Sequence, residues 1–455
     1  MRHSLRSFVF FSCVLAVFPA SASRADDWPE WLGAQRDGVW RETGLVDKFP
    51  KGGPRVLWRA PLGAGYSGPS VAGGRVYVMD RHRPLGPDGK PARATRAGHP
   101  GDERVLCLDA ATGSVVWQHV YDCPYTVSYP SGPRTTPLVR AGRVWTLGAM
   151  GDLLCLDSSN GKVIWSKNLA KEYKVDAPPV WGYAASPLLD GNLLYCLAGG
   201  ENAAIVALDK DTGNEVWKAL NTAEVGYSPP MIYEVGGHRQ LIVWLSESLN
   251  ALDPATGKVL WTVQYPEGRA PQRPAVNIIP VRRDGDRLFI STFYHGPMMV
   301  KLDADKPGAS VLWKGKSNDP EKPDGMHLLM AAPILKDGFV YGVSAMGEMR
   351  CQNADNGKQM WESLTAVGGK TGDCATAFIV PQGNRYALFN DQGELILAEM
   401  SPAGYKEIDR ARILDPVQAA RGRHVVWSHP AFAQKCVFAR NDKEMVCVSL
   451  AADPG

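Results

Sequence analysis

Short runs in which apolar and polar positions alternate recur along the whole chain: "GRVYVMD", "GRVWTLG", "NLLYCLA", "RQLIVWL", "DRLFIST" and "GFVYGVS". Period-two alternation with β-branched and aromatic content predicts half-buried strands. No run of ten or more residues carries a helical period. Downstream of each run comes a second recurring string. "LCLDAATGSVVW" (Leu106 to Trp117) returns as "LCLDSSNGKVIW" (Leu154 to Trp165), "VALDKDTGNEVW" and "NALDPATGKVLW". Its "LCL" ends one strand, "DAATG" turns, and "SVVW" begins the next. Asp109 is expected to accept hydrogen bonds from loop amides. Gly113 is expected to supply a positive φ, and Trp117 to bury a large ring between units.

Aligned on the Asp, eight copies fall at Asp109, Asp157, Asp209, Asp253, Asp303, Asn353, Glu399 and Ser449. A period near fifty with four short strands per unit predicts a β-propeller. The eighth copy ends before any Trp strand, whereas "RVLWRAPL" with Trp58 stands alone near the N-terminus. The N-terminal strand is therefore expected to complete the last blade, which leaves no exposed sheet edge. The expectation is an all-β, eight-bladed propeller over 55–455, preceded by an extended segment over 26–54. Blade five carries two extra residues before its Trp. Blade seven has Glu399 for Asp and Ile408 where Trp is expected, so those seams should be filled differently.

Residues 1–25 read as a cleaved signal peptide, with Arg2 and Arg6 before an apolar run and Ser23-Arg24-Ala25 at its end. A periplasmic or secreted chain is the expectation. Cleavage removes three of the 50 basic residues and no acid, leaving 47 against 47 acidic ones. Nucleic acid is thereby excluded as a bulk partner, and no later stretch is apolar enough to span a bilayer. A monomer is expected. There is no Cys-x-x-Cys-His, no Gly-x-Ser-x-Gly, no phosphate-cradling Gly loop and no paired His spacing. The symmetric flanks of Asn441-Asp442 leave a Cys436–Cys447 disulfide open.

The strings around Asp109 and its counterparts resemble the tryptophan-docking repeats of pyrroloquinoline-quinone (PQQ) propellers, over about Trp28 to Leu450. Two function classes share that repeat. One is the quinoprotein alcohol and sugar dehydrogenases. The other is non-catalytic propellers, such as the lipoprotein of the outer-membrane β-barrel assembly machine. The opening "DWPEWLGAQRDG" and the tail from Trp427 look most like bacterial PQQ-like repeat proteins. The dehydrogenase resemblance would imply a quinone stacked on a Trp, often below a vicinal disulfide, a calcium ion held by Glu and Asn, and an Asp base. The sequence has no adjacent Cys pair. Asp373, just before the inner strand of blade seven, is the one catalytic candidate.

Short connections ("AGG", "RAG", "LDG", "KDG") place one face, and long segments the other. Long loops on a rigid scaffold are where binding concentrates. Residues just before the inner strands are expected at that mouth: Tyr66, Arg134, Trp181, Tyr183, Tyr227, Arg273, His327, Asp373, Trp427 and His429. The mixture suits a polar ligand with a flat face, such as a sugar or peptide. The reading is an exported binding or assembly scaffold for an envelope protein, peptide or carbohydrate, with no cofactor expected. The alternative is a PQQ- and calcium-dependent dehydrogenase. A carbohydrate-active enzyme is a third, weaker option.

Overall fold

Eight antiparallel four-stranded sheets follow one another around the chain in the computed structural model, which describes residues 26–452 apart from 87, 88, 90, 91 and 267–272. The signal peptide expected at 1–25 lies outside the described residues. Seven sheets take four consecutive strands each. In blade one these are Ser70–Ala72, Arg75–His82, Asp102–Asp109 and Val115–Asp122, from the innermost outward. The eighth is split. Its outer strand, Arg55–Pro61, pairs antiparallel with Glu444–Ser449, from Arg55 opposite Ser449 to Pro61 opposite Glu444. The closure expected from the orphan strand is therefore present.

The repeat string works as its chemistry suggests. Asp109 Oδ1 accepts from the amides of Ala111 and Thr112 and from the Thr112 hydroxyl. Gly113 has φ +73°. The tryptophan then reaches across the seam. Trp117 of blade one donates Nε1 to the Ser158 carbonyl in blade two at 2.9 Å. A Cβ on Gly161 of that same turn would sit 2.5 Å from the Trp117 ring. The arrangement recurs as Trp58 on Gly113, Trp165 on Gly213, Trp217 on Gly257 and Trp313 on Gly357. Each glycine thus does two things: it turns at positive φ, and it leaves room for the neighbour's indole.

The deviant seams are filled differently, as expected. Trp261 bonds Gln240 of its own blade, because the longer turn of blade five, Asp303 to Gly308, offers no docking glycine. Trp361 donates to the Ser401 carbonyl of blade seven. One expectation is corrected: Ile408 does not stand at the tryptophan position of blade seven. The bulge pairs Leu397 with Asp409, as Cys107 pairs with Trp117, so the position belongs to Asp409. Its carboxylate accepts from the Phe49 amide. Cys436 stands opposite Ser449 and Cys447 opposite Phe438, so the two are offset, and both are free thiols.

The segment 26–54 does more than precede the propeller. It enters from the short-turn face, beside Gly73, and folds into the central channel. Trp28 pairs with Val71 of blade one, and the Pro29 carbonyl accepts from Val139 of blade two. Arg36 donates to Pro187 and Glu30, and Arg140 of blade two also donates to Glu30. Arg282 of blade five holds the Asp37 carbonyl, Trp40 bonds Pro381 of blade seven, and its ring lies 5.1 Å from Phe432 of blade eight. The chain then leaves by the same face. No periodicity announces such a plug, since its partners are scattered over seven blades.

The docking geometry makes a paired test. Gly161 and Gly142 both have positive φ (+72° and +77°), but only Gly161 touches an indole. Gly142→Ala should cost about 1 kcal/mol, the left-handed backbone penalty alone. Gly161→Ala should cost about 1–3 kcal/mol more, the scale of overpacking a filled site. Urea unfolding of both variants measures the difference, and equal costs would remove the docking argument.

Candidate functional site

All eight two-residue turns between first and second strands lie on one face, from Gly73-Gly74 round to Gln434-Lys435. The opposite mouth of the channel holds a cavity of about 270 Å³. Its wall follows a simple rule. The residue four positions before the inner strand faces it in seven blades: Tyr66, Arg134, Ala184, Tyr227, Ile278, Met330 and Trp427. In blade seven the lining falls one residue later, on Cys374. Tyr129, Phe293, Tyr294 and Arg421 lean in from longer connections, and Trp31, at the tip of the plug, reaches it from within the channel.

Six of the ten residues expected from sequence line this cavity: Tyr66, Arg134, Trp181, Tyr227, Trp427 and His429. The other four do not. Tyr183 is buried and donates its hydroxyl to the Ala198 carbonyl at 2.8 Å. His327 is fully buried, with Nδ1 at 2.7 Å from the Phe293 carbonyl. Arg273 is exposed away from the cavity. Asp373 sits at its edge, where its carboxylate pairs with Arg421 at 3.4 Å. Blades five and six in fact present apolar side chains, Val276, Ile278, Leu329 and Met330, with Ile278 and Met330 in the fourth position before the inner strand, while His327 turns inward to the Phe293 carbonyl.

The cavity is aromatic with a positive rim. Arg134 lies 5.1 Å from the Tyr66 ring centre and 5.8 Å from that of Tyr125, a cation–π arrangement. Backbone carbonyls of Gly132, Ser128 and Tyr129 fix it, and no carboxylate pairs with it among the described residues. Trp181 and Tyr227 pack at 5.3 Å. His429 Nε2 is 3.0 Å from the Thr136 hydroxyl, with its ring against Trp31 and Phe378. Burial holds its pKa down to about 4, so it is neutral at pH 7. Burial likewise raises the Cys374 thiol to about 12 and lifts Tyr66 and Tyr227 above their ordinary value. Among the described residues, no Asp, Glu, Asn or Gln lines the cavity.

Such a surface suits flat or apolar groups and tolerates negative charge. Among the described residues that line it none is a carboxylate, and burial holds its histidine neutral. A calcium-held quinone does not fit these residues. The indole plates are present, but the hard oxygen donors that calcium requires are absent from the lining, and Asp373 is committed to Arg421.

A family model described as outer membrane protein assembly factor BamB matches residues 101–363 and, again, 245–453. No curated protein matches the chain. Among solved structures, BamB from Moraxella catarrhalis is similar at 16% identity, over 82% of this chain and 98% of its own, with a TM-score of 0.50. The quinohemoprotein alcohol dehydrogenase from Comamonas testosteroni is similar at 14% identity, over 96% and 82%, with a TM-score of 0.56. That of Pseudomonas putida HK5, ADHIIG, reaches 0.57 at 13% identity, over 94% and 81%. At these identities the likeness shows the propeller fold alone.

The depressed His429 pKa sets a pH dependence. A histidine whose folded pKa lies below its unfolded value near 6.5 contributes its full stability above pH 6.5, and loses it as pH falls toward 4. The loss should be on the order of 2–3 kcal/mol. Unfolding free energies at pH 7.5 and pH 4.5 should therefore differ more in wild type than in His429→Gln. Parallel losses in the two proteins would contradict the buried, neutral ring.

Proposed function

The chain belongs to the family described as outer membrane protein assembly factor BamB, and on that footing we propose that it is an exported, non-catalytic binding or assembly scaffold of the cell envelope. It works through the long-loop mouth of its propeller. The observation that carries this reading is the lining itself. Aromatic side chains from the plug and from most blades surround two arginines, with no carboxylate among them. A rigid ring that presents many aromatic plates and few titrating groups is built to hold a partner.

The partner chemistry that fits is an envelope protein or peptide, or a carbohydrate, offering a flat or apolar face and at most modest negative charge. Among the described residues no helix is long and apolar enough to cross a membrane. The dehydrogenase reading is favoured by the likeness to two quinohemoprotein alcohol dehydrogenases over most of this chain. It is disfavoured by the missing calcium donors. An absorbance titration with PQQ and calcium, followed by dye reduction with alcohols and sugars, separates the two readings.

The scaffold reading is tested by a photo-cross-linking residue placed at Tyr129 or Tyr294 on the cavity rim, against one at Lys336 or Lys162 in the short turns. In envelope extracts the rim positions should cross-link a discrete partner and the turn positions should not. With that partner purified, Trp181→Ala and Trp427→Ala should each weaken binding about thirtyfold, the scale of a 2 kcal/mol hot spot. Cross-links from the turns alone would assign the wrong face.

A further inference from the structure

The opposite mouth of the channel has its own cavity, of about 160 Å³, between the plug and the inner strands of blades three to five. Three guanidinium groups line it: Arg36 from the plug, and Arg282 and Arg283 from blade five. Two carboxylates also line it, yet each is already paired with an arginine outside the cavity, Asp37 with Arg41 and Asp190 with Arg239. Arg36 is paired with the buried Glu30 at 2.7 Å, which leaves Arg282 and Arg283 as the cavity's arginines without matching charge. Arg282 donates to the Asp37 carbonyl at 2.7 Å and Arg283 to the Gly285 carbonyl at 2.8 Å, and neither has a carboxylate partner among the described residues. Arg283 lies 5.9 Å from the Tyr233 ring centre.

Arg36 adds two independent observations. Its residue is 7% exposed, and its Nε is buried without a hydrogen-bond partner, although Nη1 serves Glu30 and Pro187. Its backbone sits at φ +52°, a left-handed conformation that costs a non-glycine residue energy and persists where surrounding contacts demand it. The chain accepts that strain to place a guanidinium at this mouth.

We infer that the short-turn mouth is a binding site for a compact oxyanion of the phosphate or sulfate type, held jointly by Arg36, Arg282 and Arg283. Guanidinium forks match such oxygens in paired, charge-assisted hydrogen bonds. Because one arginine belongs to the plug and two to the wall, a bound anion fastens the N-terminal segment into the channel. The site is separate from the aromatic mouth and stands whether or not the scaffold reading holds.

The test is calorimetric titration of inorganic phosphate into the folded chain at pH 7.5 and fixed ionic strength, with chloride as the comparison. A saturable isotherm near one site per chain is expected. Arg282→Gln and Arg283→Gln should each weaken it at least tenfold, and the double variant should abolish it. Arg134→Gln, at the other mouth, should leave it unchanged. Phosphate also stabilises proteins generally by exclusion from their surface, but that effect is unsaturable and the double variant would share it. Should a glutamine variant fail to fold, Arg283→Lys keeps the charge and should retain a weakened isotherm. No saturable heat with wild type, or the same isotherm with the double variant, would overturn the site. So would binding to phosphatidylglycerol vesicles that phosphate does not compete away, because the arginines would then be reading a membrane surface.

Discussion

The fold depends on one contact, made at five of the eight seams: the indole of an outer strand lying on the glycine of the next blade's turn. A tryptophan buries 150–250 Å², so each seam gains several kcal/mol as an upper estimate at about 25 cal/mol per Å². The contact is also directional. The indole N–H finds the carbonyl three residues before the docking glycine, as from Trp117 to Ser158 beside Gly161. Burial and hydrogen bond together fix the angle between blades, and repetition of that angle closes the ring. Where the contact is absent, something else fills the seam. Gln240 takes the Trp261 donor, and Asp409, in the tryptophan position of blade seven, anchors the incoming segment at Phe49.

Closure creates a second problem, because eight inner strands leave a hole at the axis. The N-terminal segment fills it before it supplies the missing outer strand. A buried Glu30 between Arg36 and Arg140 ties the plug to blade two. Removing one partner of such a triad would strand a charge in the interior, so the triad fixes where the plug must lie. The plug also divides the channel into two cavities of different character: aromatic above Trp31, and cationic beside Arg36.

Much of this was legible in the sequence, for a physical reason. Strand alternation and the Asp-turn-Trp string are local and repeat, so eight copies reinforce one another. The orphan "RVLWRAPL" and the truncated last copy announced the split blade. What failed were matters of register and distance. Ile408 was taken for the tryptophan position because sequence spacing cannot show the bulge that puts Asp409 there. The polarity of Arg273 and His327 suits a channel mouth, but polarity does not show that His327 turns inward to the Phe293 carbonyl or that Met330 and Ile278 hold the fourth position before their inner strands. The plug was invisible because its partners lie from Val71 to Phe432 and share no period.

That failure bears on how function should be read in this family's fold. The repeat fixes a scaffold, and the scaffold fixes eight positions at one mouth. In seven blades the residue four places before the inner strand becomes part of the site. Those seven positions carry three aromatic rings, one arginine and three small or aliphatic side chains, while the eighth, Asp373, stands at the edge and pairs with Arg421. Proton chemistry would require at least one titrating group poised near neutral pH. Burial instead keeps His429 neutral and the Tyr66, Tyr227 and Cys374 protons in place. What this mouth offers a ligand is therefore ring faces, apolar side chains and the two arginine charges that Arg134 and Arg421 bring to its rim.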